Sequence, residues 1–164
     1  VGDPGEIDAA VRLLVELART DRIDGIGCRA SLAELADRHG PAGEGGPVHE
    51  RSRWPRWFGY GNLQLEVCRC RVVEMMVVPV WHGQVLDHPA EGVGLSLLRP
   101  VLTAAGYTEP PTPKLRSQLL LDRESGGIRT SFVFGATADG FENGPLLDDP
   151  ELVKVVSHAW HTCP

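Results

Sequence analysis

N-L-Q-L-E-V-C-R-C-R-V-V-E-M-M-V-V-P-V-W (Asn62–Trp81) is the stretch on which the fold turns. In its first half Leu63, Leu65 and Val67 point one way and Asn62, Gln64 and Glu66 the other, the period of a half-buried strand. Its second half, Val72–Trp81, is apolar on both faces except at Glu74, which suits a central strand covered from both sides. Pro79 marks the end of that strand as an edge or bulge. Cys68-Arg69-Cys70-Arg71 lies between the halves as the turn. Strands joined this closely run antiparallel.

A second hairpin follows from Leu115–Leu121 and Ile128–Phe134 around D-R-E-S-G-G, and a short third strand is expected at Gln84–Leu86. Helices flank the strands. Ile7, Val11, Leu14 and Ala18 keep helical spacing, and Asp8, Arg12 and Glu16 form a charge ladder on the opposite side. Ser31 opens a capping box with Glu34, and Gly40-Pro41 stops the helix it starts. Residues 41–53, P-A-G-E-G-G-P-V-H-E-R-S-R, show no period and read as an exposed loop. A helix over Val93–Ala105 carries Pro100 inside it and ends at Gly106. A last helix is expected from Asp149 as N-cap and Pro150 at N1, with Leu152, Val155, Val156 and Ala159 as its buried stripe. The predicted fold is a single α+β domain over residues 1–164, in the order ααββ(β)αββα. A mainly antiparallel sheet of about four to five strands has helices packed against it.

Composition narrows the function classes. The 164 residues include 16 Lys+Arg and 22 Asp+Glu, a net charge of −6, which argues against a nucleic-acid or anionic-membrane binder. No run of 18 apolar residues exists, and no basic or apolar leader opens the chain, so a cytoplasmic protein is expected. The acids Asp139, Glu142, Asp148, Asp149 and Glu151 follow one another without a base between them. They read as a solvated loop or as a docking surface for a basic partner.

Catalytic signatures are sparse. There is no phosphate loop, no Gly-x-Ser-x-Gly elbow and no His-Glu-x-x-His. An enzyme reading, hydrolase-like, rests on Glu74 if it is buried and unpaired, or on Cys28 paired with one of the 6 histidines. A small-ligand sensor is a further alternative. Cys68-x-Cys70 and His158-x-x-His161-x-Cys163 offer zinc-type donors, but about ninety residues separate the two halves, and neither has the two-residue Cys spacing of a zinc knuckle. The expectation is therefore no metal and no cofactor. The aromatics are more telling: Trp54, Trp57, Phe58 and Tyr60 fall within seven residues, interleaved with Arg53 and Arg56. Trp, Tyr and Arg are the residues that dominate protein interfaces, although the same cluster would also serve as a local mini-core.

Ser31–Pro41 (S-L-A-E-L-A-D-R-H-G-P), a variable loop, and then Trp57–Val67 (W-F-G-Y-G-N-L-Q-L-E-V) with the apolar strand to Trp81 resemble a common bacterial module. In that module a capped short helix ending in Gly-Pro precedes an aromatic-Tyr-Gly-x-Leu strand. Proteins of this pattern are similar to the small immunity proteins encoded beside polymorphic toxins. The resemblance implies a non-enzymatic protein-binding module that neutralises one cognate, basic toxin domain, with no nucleic-acid or membrane partner. The expected contacts are Trp54, Arg56, Trp57 and Tyr60 as the packed half and Asp139, Glu142, Asp148 and Asp149 as the electrostatic half.

Overall fold

The structure is a computed structural model that describes residues 4–80, 82–111, 117–135 and 146–164. Its described elements are α1 (Pro4–Thr20), β1 (Arg22–Ile23), β2 (Ile26–Gly27), α2 (Leu32–His39), β3 (Gly43–Pro47), β4 (Arg56–Tyr60), β5 (Leu63–Val67) and β6 (Val73–Pro79). They continue with β7 (Gln84–Val85), β8 (His88–Pro89), α3 (Leu95–Ala104), β9 (Gln118–Ser125), β10 (Ile128–Gly135) and β11 (Glu151–Ala159). Seven of the strands form one antiparallel sheet in the order β3-β4-β5-β6-β11-β10-β9, while β1-β2 and β7-β8 are separate small ribbons.

The chain is α+β as expected, but a sheet of four to five strands in the order ααββ(β)αββα is not what it builds. Two segments account for the difference. The stretch expected as an exposed loop contributes the edge strand β3, which pairs with β4 along its backbone and through the Arg56–Glu44 ion pair. Its glycines hide it from any periodicity argument, yet they serve the pairing: a Cβ on Gly45 would meet the Trp57 Cβ at 3.3 Å. The last helix is in fact β11, a central strand bonded to β6 on one side and β10 on the other. It joins the β3–β6 meander to the β9–β10 hairpin.

A β-bulge explains why β11 imitates a helix. Val133 pairs with Lys154 but Phe134 pairs with Leu152, so Val153 is an extra residue. Leu152 and Val155, three apart, therefore both reach the same buried face, and Ala159 joins them. The same device acts in β6. Val67 pairs with Val73 and Glu66 with Met75, leaving Glu74 as the bulge residue. Val73 and Met76, again three apart, are both fully buried.

The other elements follow their local chemistry. The Ser31–Glu34 capping box is present in both directions at 3.1 Å, and Gly40 at φ 76° ends α2. Arg71 N–H donates to the Cys68 carbonyl at 2.8 Å and closes the β5–β6 turn, with Arg71 itself at φ 62°. Gly126-Gly127 turns the β9–β10 hairpin at positive φ. Leu14 and Leu17 of α1, Leu35 of α2 and Leu98 and Leu102 of α3 share one core with Leu65, Met76, Val155 and Phe132 of the sheet. Burying each of the larger of these side chains contributes about 1.5–3 kcal/mol. The helices pack on this inner face of the sheet; the opposite face is the outer one.

Candidate functional site

Cross-strand partners share a face, so the register defines rows of side chains across the sheet. One inner row runs Phe58, Leu65, Met76, Ser157, Thr130, Arg123. The outer row beside it runs Trp57, Glu66, Met75, His158, Arg129, Glu124. A second outer row runs Gly59, Gln64, Val77, Val156, Ser131, Asp122.

Alternation along β4 divides the predicted aromatic cluster. Phe58 and Tyr60 go inward with Trp54, whose ring lies 6.5 Å from Phe58 at 23°, and all three pack against the core. Arg56 sits 5.9 Å from the Trp54 ring and is paired with Glu44 of β3. The Tyr60 hydroxyl donates to the Gly40 carbonyl at 3.0 Å, which fastens β4 to the end of α2. These three behave as a local core. Only Trp57 faces outward, where with Gly59 and Gln64 it lines an open groove of about 830 Å³.

The predicted acidic half is divided as well. Asp139 and Glu142 lie outside the described residues. Asp148 is exposed just before β11. Asp149 is a helix cap, though of α3 and not of a C-terminal helix. Its Oδ1 accepts from the Ser96 N–H at 2.8 Å and its Oδ2 from the Ser96 hydroxyl at 2.7 Å. Those bonds hold its carboxyl below the usual range, and an anion at a helix N-terminus is favourable.

The outer face carries what sequence reasoning missed. Met75, Val77 and Val156 are half-exposed neighbours on β6 and β11. Just past β11, Trp160 is 87% exposed and stands edge-on to His158 at 4.6 Å. Trp57 and Trp160 thus bound a largely apolar strip, in which Glu66 separates Trp57 from Met75 and Arg129 and Glu124 lie to the far side. Burial raises the Glu66 carboxyl, and the nearby Glu74 raises it further.

The residues considered for catalysis have separate environments. Cys28 is 1% exposed and donates its S–H to the Glu74 carbonyl at 3.4 Å; burial pushes its thiol up to about 12, so it stays protonated. Glu74 is half-buried at its bulge, which is how a carboxylate interrupts an otherwise apolar strand. Beneath the C-terminus of α1 lies a buried polar chain: Thr130 donates to Asp21 Oδ1 at 2.7 Å, and Arg123 meets the same oxygen at 2.9 Å. Because Thr130 has one hydroxyl proton, the Ser157 hydroxyl is the donor in their 2.8 Å contact.

The fold also reunites the two halves of the zinc-type pattern. The β5–β6 turn and the end of β11 occupy the same end of the sheet, because His158 pairs with Met75. One donor atom each from Cys68, Cys70, His161 and Cys163 lies within 4.8 Å of all the others. Hydrogen bonding from Cys70, then from Cys68, lowers the Cys163 thiol, and the same contact raises Cys70 to about 11. His158, the other histidine of the sequence pattern, stays on the outer face.

No family model matches the chain, and no curated protein matches it. Among solved structures, the crystal structure of a DUF4309 family protein, YjgB, from Bacillus subtilis aligns with a TM-score of 0.51 at 13% identity. The alignment covers 95% of this chain and 99% of that one. At this identity the likeness is one of fold alone.

Proposed function

We propose that this chain is a protein-binding module of the immunity type, which docks a cognate, basic toxin domain on the outer face of its sheet and neutralises it in the cytoplasm. The observation that carries this reading is the apolar strip of Met75, Val77 and Val156 between Trp57 and the 87%-exposed Trp160. A tryptophan left that open is costly to hydrate, and tryptophans ringed by polar residues are typical anchors of protein interfaces. Glu66, Arg129 and Glu124 supply such a polar margin. The net charge of −6 speeds encounter with a basic domain and repels nucleic acid. The groove lined by Trp57, Gly59 and Gln64 extends the face toward β3, where a protruding loop of the partner would fit. No described helix is long and apolar enough to cross a membrane.

The test is co-expression of the chain with the products of adjacent genes, followed by pull-down and a growth assay. The expected result is a one-to-one complex that rescues growth from an otherwise lethal domain. Trp160→Ala and Trp57→Ala should each weaken the complex by about 30-fold or more, the scale of an interface hot spot. A complex that forms equally well with both tryptophans removed would overturn the placement of the interface. Absence of any neutralised neighbour would overturn the immunity reading.

A further inference from the structure

The four residues at the end of the sheet have a chemistry of their own, independent of any partner. Three thiols and an imidazole form a donor set suited to zinc, and the pattern is C-x-C on one segment and H-x-C on the other. Zn–S bonds of about 2.3 Å and Zn–N bonds of about 2.0 Å set the donors of a tetrahedron about 3.5–3.8 Å apart. All four donor atoms here already lie within 4.8 Å of one another, so a contraction of about 1 Å at the widest pair completes the geometry. Cys70 is exposed on its turn, so a small movement of its side chain disturbs little packing.

Both supporting segments are held in place without the ion. The turn is closed by Arg71 N–H to the Cys68 carbonyl at 2.8 Å and by Cys68 N–H to the Val72 carbonyl at 3.1 Å. Arg69, between the two turn cysteines, donates to the carbonyls of Cys163 at 3.2 Å and Pro164 at 2.9 Å, tying the second segment to the first. The Nε2 of His161 is buried and has no hydrogen-bond partner among the described residues. A ring nitrogen in that condition is unfavourable in a finished structure.

We propose that Cys68, Cys70, His161 and Cys163 bind one zinc ion, with every coordination position filled by protein, and that the ion clamps the segment after β11 onto the β5–β6 turn. Four protein ligands leave no position for water or substrate, which makes the centre structural. Binding releases the thiol protons to solvent, and Zn²⁺ with three thiolates and a neutral imidazole carries one negative charge. Arg69, which donates to the Cys163 and Pro164 carbonyls, lies beside the site and offsets that charge. Trp160 immediately precedes His161, so the same clamp would fix the most exposed aromatic side chain of the outer face.

The experiment uses the full chain, purified without a histidine tag and kept under a non-chelating reductant. Zinc is measured by elemental analysis before and after reconstitution with zinc chloride, and Co²⁺ is substituted as a spectroscopic probe. The expected results are one zinc per chain and, with cobalt, intense tetrahedral d–d bands and a thiolate charge-transfer band. Cys70→Ser and Cys163→Ser should each lose most of the zinc while keeping the wild-type far-ultraviolet dichroism. Cys28→Ala, which alters a buried core thiol, should keep full zinc. A chelator should lower Tm of the wild type and leave Tm of Cys163→Ser unchanged. Zinc near zero after reconstitution, or full zinc in both serine variants, would overturn the proposal. So would stoichiometric iron in its place, or a disulfide among the three cysteines under reductant.

Discussion

Two adjacent rows of the same six strands, offset by one residue, have opposite fates. The inner row, Phe58 to Arg123, is covered by helices, and its polar members are committed inside the fold: Ser157 to Thr130, Thr130 to Asp21, Asp21 to Arg123. The outer row, Trp57 to Glu124, mixes aromatic, apolar and charged groups and stays half-exposed. The contrast separates scaffold from candidate site. A buried network that satisfies its own hydrogen bonds, as Ser157, Thr130 and Asp21 do, is part of the scaffold, however suggestive its residue types. Groups left facing water beside apolar neighbours, or metal-type donors converging around a buried ring nitrogen with no partner among the described residues, remain available for something else.

The inner row should respond most strongly to substitution. Asp21 and Arg123 form an ion pair with side-chain exposures of 8% and 14%. Asp21→Asn suits the left-handed backbone at φ 57° and keeps an acceptor for Thr130, but it leaves the guanidinium without its counter-charge. A loss of about 3 kcal/mol is expected by urea denaturation, with part of it recovered in Asp21→Asn/Arg123→Met. A loss below about 1 kcal/mol would show that water already solvates Arg123.

The two methionines, neighbours on β6, bring the contrast down to adjacent residues. Met76 is fully buried and Met75 is half-exposed. Met76→Ala should cost about 2–5 kcal/mol of stability through the cavity it leaves. Met75→Ala should cost less than about 1 kcal/mol and instead weaken partner binding. Peroxide gives a gentler version of the same test, read by mass spectrometry. Met75 should oxidise well before Met76, and a bound partner should protect it. Equal oxidation rates would contradict the assignment of faces.

These rows also explain what could be read from the sequence. The hairpin of Asn62–Trp81, the Ser31 capping box and the β9–β10 hairpin each announce themselves within a few residues, because alternation, caps and double-glycine turns are local signals. β11 does not. Its bulge at Val153 sets Leu152 and Val155 three apart, a spacing that a regular strand forbids and a helix prefers, and Asp149-Pro150 ahead of it imitates a helix start. The same helix-like spacing conceals not the zinc-type donors but the fact that they meet. With β11 taken as a helix, nothing brought Cys163 toward Cys68; with β11 beside β6, a separation of about ninety residues collapses to 4.8 Å. It hid the outer strip for the same reason, since Val156 and Trp160 acquire a shared face with Met75 only through that pairing. The aromatic cluster of Trp54–Tyr60 was legible as a cluster, but strand alternation, a half-turn per residue, decides that Trp57 alone faces out.

Asp149 supplies the smallest and most specific test. Asp149 has the chemistry of a helix cap, but no helix follows it; it caps α3 from a distant part of the chain through two bonds to Ser96. Because those bonds lower its folded-state pKa, the folded protein holds the carboxylate more tightly deprotonated than the unfolded chain does. The resulting stabilisation is complete above the unfolded-state value of about 4 and is lost as pH falls through the lowered folded value. Asp149→Asn should therefore lower Tm slightly at about pH 6, and the gap to wild type should close as pH falls through the ordinary carboxylate range and below it. Since the group is exposed, salt should narrow the gap as well. A gap that persists unchanged into acid would mean that Asp149 supports α3 by shape and hydrogen bonding alone, with no contribution from its charge at the helix end.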